Sequence, residues 1–139
     1  MNISMFDILG PVMIGPSSSH TAGAQRIGKA MYMICGKEEV KKVTFHLHGS
    51  FSHTLSGHGT DRALVAGLMG MDASDARIRN SLEIAREKGM EITFIPDDLG
   101  DVHPNTVKVL VVTKSGKKFS MIGSSVGGGE VEIVEINGT

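Results

Sequence analysis

Histidine, serine and glycine are concentrated in two short segments of this chain, and both stand directly before a helical pattern. The first is Gly15-Pro16-Ser17-Ser18-Ser19-His20-Thr21-Ala22-Gly23. From Ala22 to Ile34 the residues Ile27, Met31 and Ile34 recur at helical spacing, which puts the serines where N-caps stand. Backbone N–H groups at the positive end of a helix dipole suit a small anion such as a carboxylate or phosphate. His20 stands beside them with a side chain able to give or take a proton near neutral pH. The plainer reading of the same residues is a serine-rich cap with a solvated histidine.

The second segment is Gly57-His58-Gly59-Thr60-Asp61-Arg62-Ala63. It follows a loop of serines, threonine and histidine, and Thr60 is placed to cap a helix carrying Leu64, Val65, Leu68 and Met69. Asp61 and Arg62 are either ligand-pairing charges or ordinary first-turn charges. Gly127-Gly128-Gly129 permits close backbone approach but lacks the spacing of a phosphate or dinucleotide loop, and a flexible connection between strands explains it as well. His46, His48, His53 and His58 bring imidazoles near one another, yet no acidic or cysteine ligand completes a set, so no metal is expected here.

These segments need a scaffold, and the remaining pattern describes one. Residues 5 to 14 read as a short strand and turn, and residues 19 to 35 as a first helix stopped at Gly36. Val43-Thr44-Phe45-His46-Leu47-His48 alternates as a strand, with Phe45 and Leu47 on one face and the two histidines on the other. A further helix from Asp72 or Ser74 to Gly89 buries Ile78, Leu82 and Ala85. Strands follow at 92–95, 107–113, 119–122 and 131–136, with a hairpin turn at Lys114-Ser115-Gly116-Lys117. His103-Pro104-Asn105-Thr106 reads as a rigid structural or interface loop, with Asn105 suited to an Asx-type turn. The expected fold is α/β of the mixed α+β kind, with about three helices packed on one mixed sheet of four to six strands.

Length and composition set outer limits. The 139 residues fit a single domain, 1–139, with 40% hydrophobic content and enough chain to bury a core without disulfides. Lys and Arg number 14 against 15 Asp and Glu, with no basic run, which disfavours nucleic acid and anionic membrane surfaces as partners. No stretch resembles a signal peptide or a membrane span, so the expected location is cytoplasmic. The single cysteine, Cys35, excludes an internal disulfide and cannot supply the thiolates of an iron–sulfur cluster.

The stretch Phe6 to Ala24 resembles the opening of the β subunit, or β domain, of bacterial iron–sulfur-dependent L-serine dehydratases. The resemblance continues in order through His48-Gly49-Ser50-Phe51, Gly57 to Ala63, His103-Pro104-Asn105-Thr106, and Gly123-Ser124-Ser125-Val126-Gly127-Gly128-Gly129. In that family the β part commonly continues into an ACT domain after a strand like 131–136, so the chain resembles the first domain alone. The resemblance also extends to the allosteric substrate-binding domain of phosphoglycerate dehydrogenases.

The family resemblance implies an L-serine ammonia-lyase that converts L-serine to pyruvate and ammonia. It implies a four-iron four-sulfur cluster held by a partner α subunit rather than by this chain, and an isolated chain without activity. It makes His20 and His58 the catalytic candidates, with either able to be the Cα base. Ser17, Ser18, Ser19 and Thr21 become candidates for binding the serine carboxylate or ammonium, Asp61 for the ammonium, Arg62 for the carboxylate, and Gly127 and Gly128 for close approach. Two other readings compete: a non-catalytic effector-binding domain for serine or a related small anion, and a small histidine-metal hydrolase. A homodimer is a further expectation for the chain in isolation.

Overall fold

The computed structural model describes residues 18–54, 59–127 and 129–137, with side chains described from residue 21 onward. The expected strand at 5–14 lies outside these residues. Helix α1 spans Ser18–Ile34, strand β1 Val40–Gly49, a short helix α2 Ser50–His53, and helix α3 Thr60–Leu68. A 3₁₀ turn at Ala76–Asn80 leads into α4, Ser81–Glu87. Four strands complete the order: β2 Glu91–Pro96, β3 Asn105–Thr113, β4 Lys118–Gly127 and β5 Glu130–Ile136.

The five strands form one mixed sheet in the order β2-β1-β3-β4-β5. β1 and β2 are parallel, joined through the helical segment between them, while the other neighbours are antiparallel. Side-chain alternation then decides what the helices cover. Phe45 pairs with Val109 and Val109 with Met121; Leu47 pairs with Val107 and Val107 with Gly123. All of these face the helices and are buried. Ile27 and Met31 of α1 and Leu64 and Leu68 of α3 meet them from above, fully shielded from solvent. Phe94 on β2 stacks on Phe45, ring centroids 5.1 Å apart, and extends the core toward that edge.

The two long helices touch through glycines. A Cβ on Gly28 would run into the Leu64 carbonyl and stand 2.9 Å from the Leu68 nitrogen; one on Gly67 would run into the Gln25 carbonyl and stand 2.6 Å from the Lys29 nitrogen. Backbone against backbone leaves no flexible side chain to give way. Buried Gln25 donates from Nε2 to the Met71 carbonyl at 2.6 Å, and Lys29 pairs with Asp72, pinning the segment after α3 to α1.

Several expectations are corrected by packing. Residues 50–53 form a helical turn instead of open loop. Thr60 does not cap α3: Gly59 holds the cap position at φ 77°, and Thr60 Oγ1 lies 2.9 Å from Thr54 Oγ1. The helix expected from Asp72 or Ser74 is a 3₁₀ turn capped by Asp75 and followed by the short α4, and none of the residues of the turn, Ile78 included, is buried. Segment 123–127, read as part of a loop, continues β4 because it pairs with both β3 and β5. The fold class is as expected: mixed α+β, with helices on one face of a five-stranded sheet.

Candidate active site at the helix N-termini

Three elements bring their ends to one edge of the core. α1 enters at Ser18, with no acidic residue in its first turn to compete for its N–H groups. Gly23, in the second turn, rests directly on Ser125 of β4, where any Cβ would collide with the serine side chain. β4 therefore passes beneath the start of α1. Gly59 opens α3 without a side-chain cap, and its left-handed backbone lets the Arg62 side chain fold over it. A Cβ at Gly59 would stand 3.3 Å from an Arg62 terminal nitrogen and 3.7 Å from the Thr21 methyl. Thr21 and Arg62, 41 positions apart, thus share one small region between the two helix starts.

Asp61 is turned toward its own helix, where its Oδ1 accepts from the Arg62 N–H at 2.7 Å. Gly127, exposed with φ 112°, ends β4 two residues beyond Ser125 at the same edge of the sheet. Ser18, Ser19 and His20 form the first residues of α1 in backbone, their side chains lying outside the description; Ser17, His58 and Gly128 also lie outside the described residues. Of the sequence-predicted site residues, the described geometry gathers Thr21 and Arg62 closely and brings Asp61 and Gly127 to the same end.

A loop closes this end from the sheet side. Gly49 adopts φ 57°, and a Cβ there would press on the Pro104 carbonyl, which accepts the Ser50 N–H at 2.9 Å. Thr106 Oγ1 donates to the His103 carbonyl at 2.6 Å and lies 2.7 Å from Ser124 Oγ. The turn itself is made by His103, whose Nδ1 accepts the Asn105 N–H at 3.0 Å, so Asn105 does not make the Asx turn expected of it. Sequence reasoning gave Asn105 only a place in a structural or interface loop. Asn105 Oδ1 is buried and has no hydrogen-bond partner among the described residues.

Arg26, two turns into α1, is wholly buried, and burial pushes its guanidinium pKa below the ordinary arginine value. A guanidinium is costly to place at that depth. His46 and His48 lie on the face of β1 opposite Phe45 and Leu47. His46 Nδ1 lies 3.0 Å from Asp97 Oδ2, and His48 Nδ1 accepts the Leu99 N–H at 3.0 Å.

The profile of the serine dehydratase beta chain matches residues 4–89, a span that contains both helix starts. The chain belongs to the serine dehydratase beta chain family. It is 48% identical over 136 residues to the L-serine dehydratase, beta chain, of Peptoniphilus asaccharolyticus, covering 97% of this chain and 61% of that protein. A probable L-serine dehydratase, beta chain, of Bacillus subtilis is 47% identical over 135 residues, 97% of this chain and 60% of that one. The L-serine dehydratase of Streptomyces coelicolor is 37% identical over 112 residues, 70% of this chain and 24% of that protein. The chain thus spans about three fifths of the length of the two beta chains.

An iron–sulfur cluster does not fit the donors of this member of the family. Its one cysteine, Cys35, is 1% exposed at the far end of α1, with its thiol pushed up to about 11 by burial and by the neighbouring Glu38 carboxylate. No group of three or more His, Cys, Asp or Glu side chains is gathered for a metal among the described residues. No described helix is long and apolar enough to cross a membrane.

Proposed function

We propose that this chain is the β component of an L-serine ammonia-lyase, supplying substrate-binding and acid–base residues to an active site completed by an α subunit. The observation that carries the reading is the meeting of the α1 and α3 starts around Thr21, Gly59 and Arg62 in a member of the beta chain family. Two helix starts and a guanidinium are suited to one carboxylate.

In this reading the serine carboxylate lies against the α1 N–H groups, the hydroxyls of Ser17, Ser18, Ser19 and Thr21, and Arg62. Gly127 and Gly128 let the β4 end approach without side-chain bulk. Asp61, with Oδ1 engaged by its neighbour, turns Oδ2 to the ammonium. His58 removes the α-proton and His20 protonates the departing hydroxyl or orients its partner; the reverse assignment uses the same two imidazoles. Loss of the α-proton and of the β-hydroxyl as water leaves aminoacrylate, which tautomerises to the imine and is hydrolysed to pyruvate and ammonia. Each well-placed imidazole is worth about 10²- to 10⁴-fold in rate.

The four-iron four-sulfur cluster belongs, in this proposal, to the α subunit, where it supplies Lewis-acid chemistry; the assembled enzyme is cytoplasmic. Without that partner the chain pairs with itself as a homodimer.

The test is anaerobic pyruvate formation from L-serine by this chain mixed with a cluster-bearing α subunit. Turnover is expected only with both chains present, and a drop of about 10²-fold or more is expected for His20→Ala and for His58→Ala. Unchanged turnover in both variants removes the catalytic assignment.

A further inference from the structure

We infer that Asn105 is a hydrogen-bond acceptor for the ammonium group of the amino-acid substrate. The inference rests on the serine-lyase reading above and adds to it a residue that the sequence reading left in a structural loop.

Asn105 opens β3 opposite Gly49 of β1, one position before the Thr106–Ser124 pair. Alternation along β3 puts it on the same face as Val107 and Val109, the face covered by helices. The β3–β4 register ends at the Thr106–Ser124 pair, and the next residue of β4 is Ser125, on which Gly23 of α1 rests. Asn105 therefore stands at the end of the sheet where α1 begins.

Its surroundings are tightly held. The His103 ring takes its N–H, the Pro104 carbonyl takes the Ser50 N–H, and Thr106 Oγ1 ties the same loop to Ser124. In the midst of this satisfied network, Oδ1 is shielded from water and accepts nothing from any described residue. Buried carbonyl oxygens are ordinarily paired, so an orphan fixed by a rigid loop asks for a donor that the described residues do not supply.

The chemistry of an amino acid selects that donor. A carboxylate offers only acceptors and repels an amide oxygen, whereas an ammonium offers three N–H bonds. With the carboxylate drawn to the helix starts and Arg62, the ammonium is the group left to meet acceptors on the sheet side. Asn105 Oδ1 takes one of its three protons. Neutral Asn binds the cation without lowering the acidity of the neighbouring Cα–H as strongly as a carboxylate would.

The test uses the assembled enzyme, comparing the native chain with Asn105→Ala and Asn105→Asp. Asn105→Ala should raise the KM for L-serine about ten- to hundredfold with a smaller change in kcat, the pattern of a lost contact to a charged group. Competitive inhibition by 3-hydroxypropanoate, which has the carboxylate and hydroxyl but no ammonium, should be unchanged in that variant. Asn105→Asp keeps an acceptor and should hold KM near the native value. The thermal midpoint of Asn105→Ala should not fall, because removing an unpaired buried acceptor orphans nothing.

An unchanged KM for serine in Asn105→Ala overturns the proposal. So does an equal loss of serine and 3-hydroxypropanoate binding with a lowered midpoint, which would make Asn105 a structural residue only. Failure of the native chain to support serine turnover is a separate result, and it removes the lyase reading and this one together.

Discussion

At the scale of single residues, the environment of a side chain outweighs its intrinsic chemistry. Cys35 is a thiol by sequence, but it is sealed under the last turn of α1 and its pKa stands at about 11. The thiolate is the reactive species, so alkylation by iodoacetamide at pH 8 should be very slow in the folded chain and complete within minutes in denaturant. Comparable labelling in both states would contradict the burial. Asp75 shows the opposite shift. Its carboxylate accepts from the Arg77 backbone N–H and from the guanidinium, which holds its pKa at about 2 against an ordinary 3.8. A carboxyl lowered by folding stabilises the native state above pH 3.8, and that contribution is lost as pH falls through 2. Asp75→Asn should flatten the acid limb of stability between pH 4 and pH 2, measured by urea unfolding at successive pH values, with the native chain losing more over that interval. Equal losses would show that the pair contributes nothing to folding.

At the scale of elements, the close crossing of α1 and α3 is the feature that places the candidate site. Thr21 and Arg62 meet only because Gly28 and Gly67 let the two helices approach backbone to backbone farther along. Gly28→Ala or Gly67→Ala should each cost about 2–3 kcal/mol in urea unfolding, since the added methyl meets main-chain atoms that no rotamer can move. A cost near zero would mean that the helices part easily. Helix periodicity and strand alternation made α1, α3, β1 and β3 legible, because an amphipathic face is written into residue spacing. The long β4 was not legible. Gly123-Ser124-Ser125 has weak strand preference, and it is extended because β3 and β5 bind it on both sides while Ile27 and Gly23 need its small residues beneath them. The cap of α3 was misread for a related reason: Thr60 is a good N-cap by type, but its hydroxyl meets Thr54 across the loop.

At the scale of the whole molecule, one core joins sheet and helices, with Met31, Phe45, Leu64 and Met121 belonging to the same packed cluster. Thermal unfolding followed by far-UV circular dichroism and by Tyr32 fluorescence should therefore give one coincident transition, and separated midpoints would indicate independently melting parts. The amino-acid sequence by itself determined the fold class, the main elements and the family, because these depend on local periodicity and on short ordered blocks of residues. It also singled out Thr21 and Arg62 as residues of binding type. Only the tertiary structure decided that these two are neighbours, that Asp61 Oδ1 is engaged by its own helix, and that Asn105 carries a buried oxygen with no described donor. The physical reason is that residue type and spacing fix what an element can bury, while a site is made where distant elements end together, and that depends on how close their backbones can come.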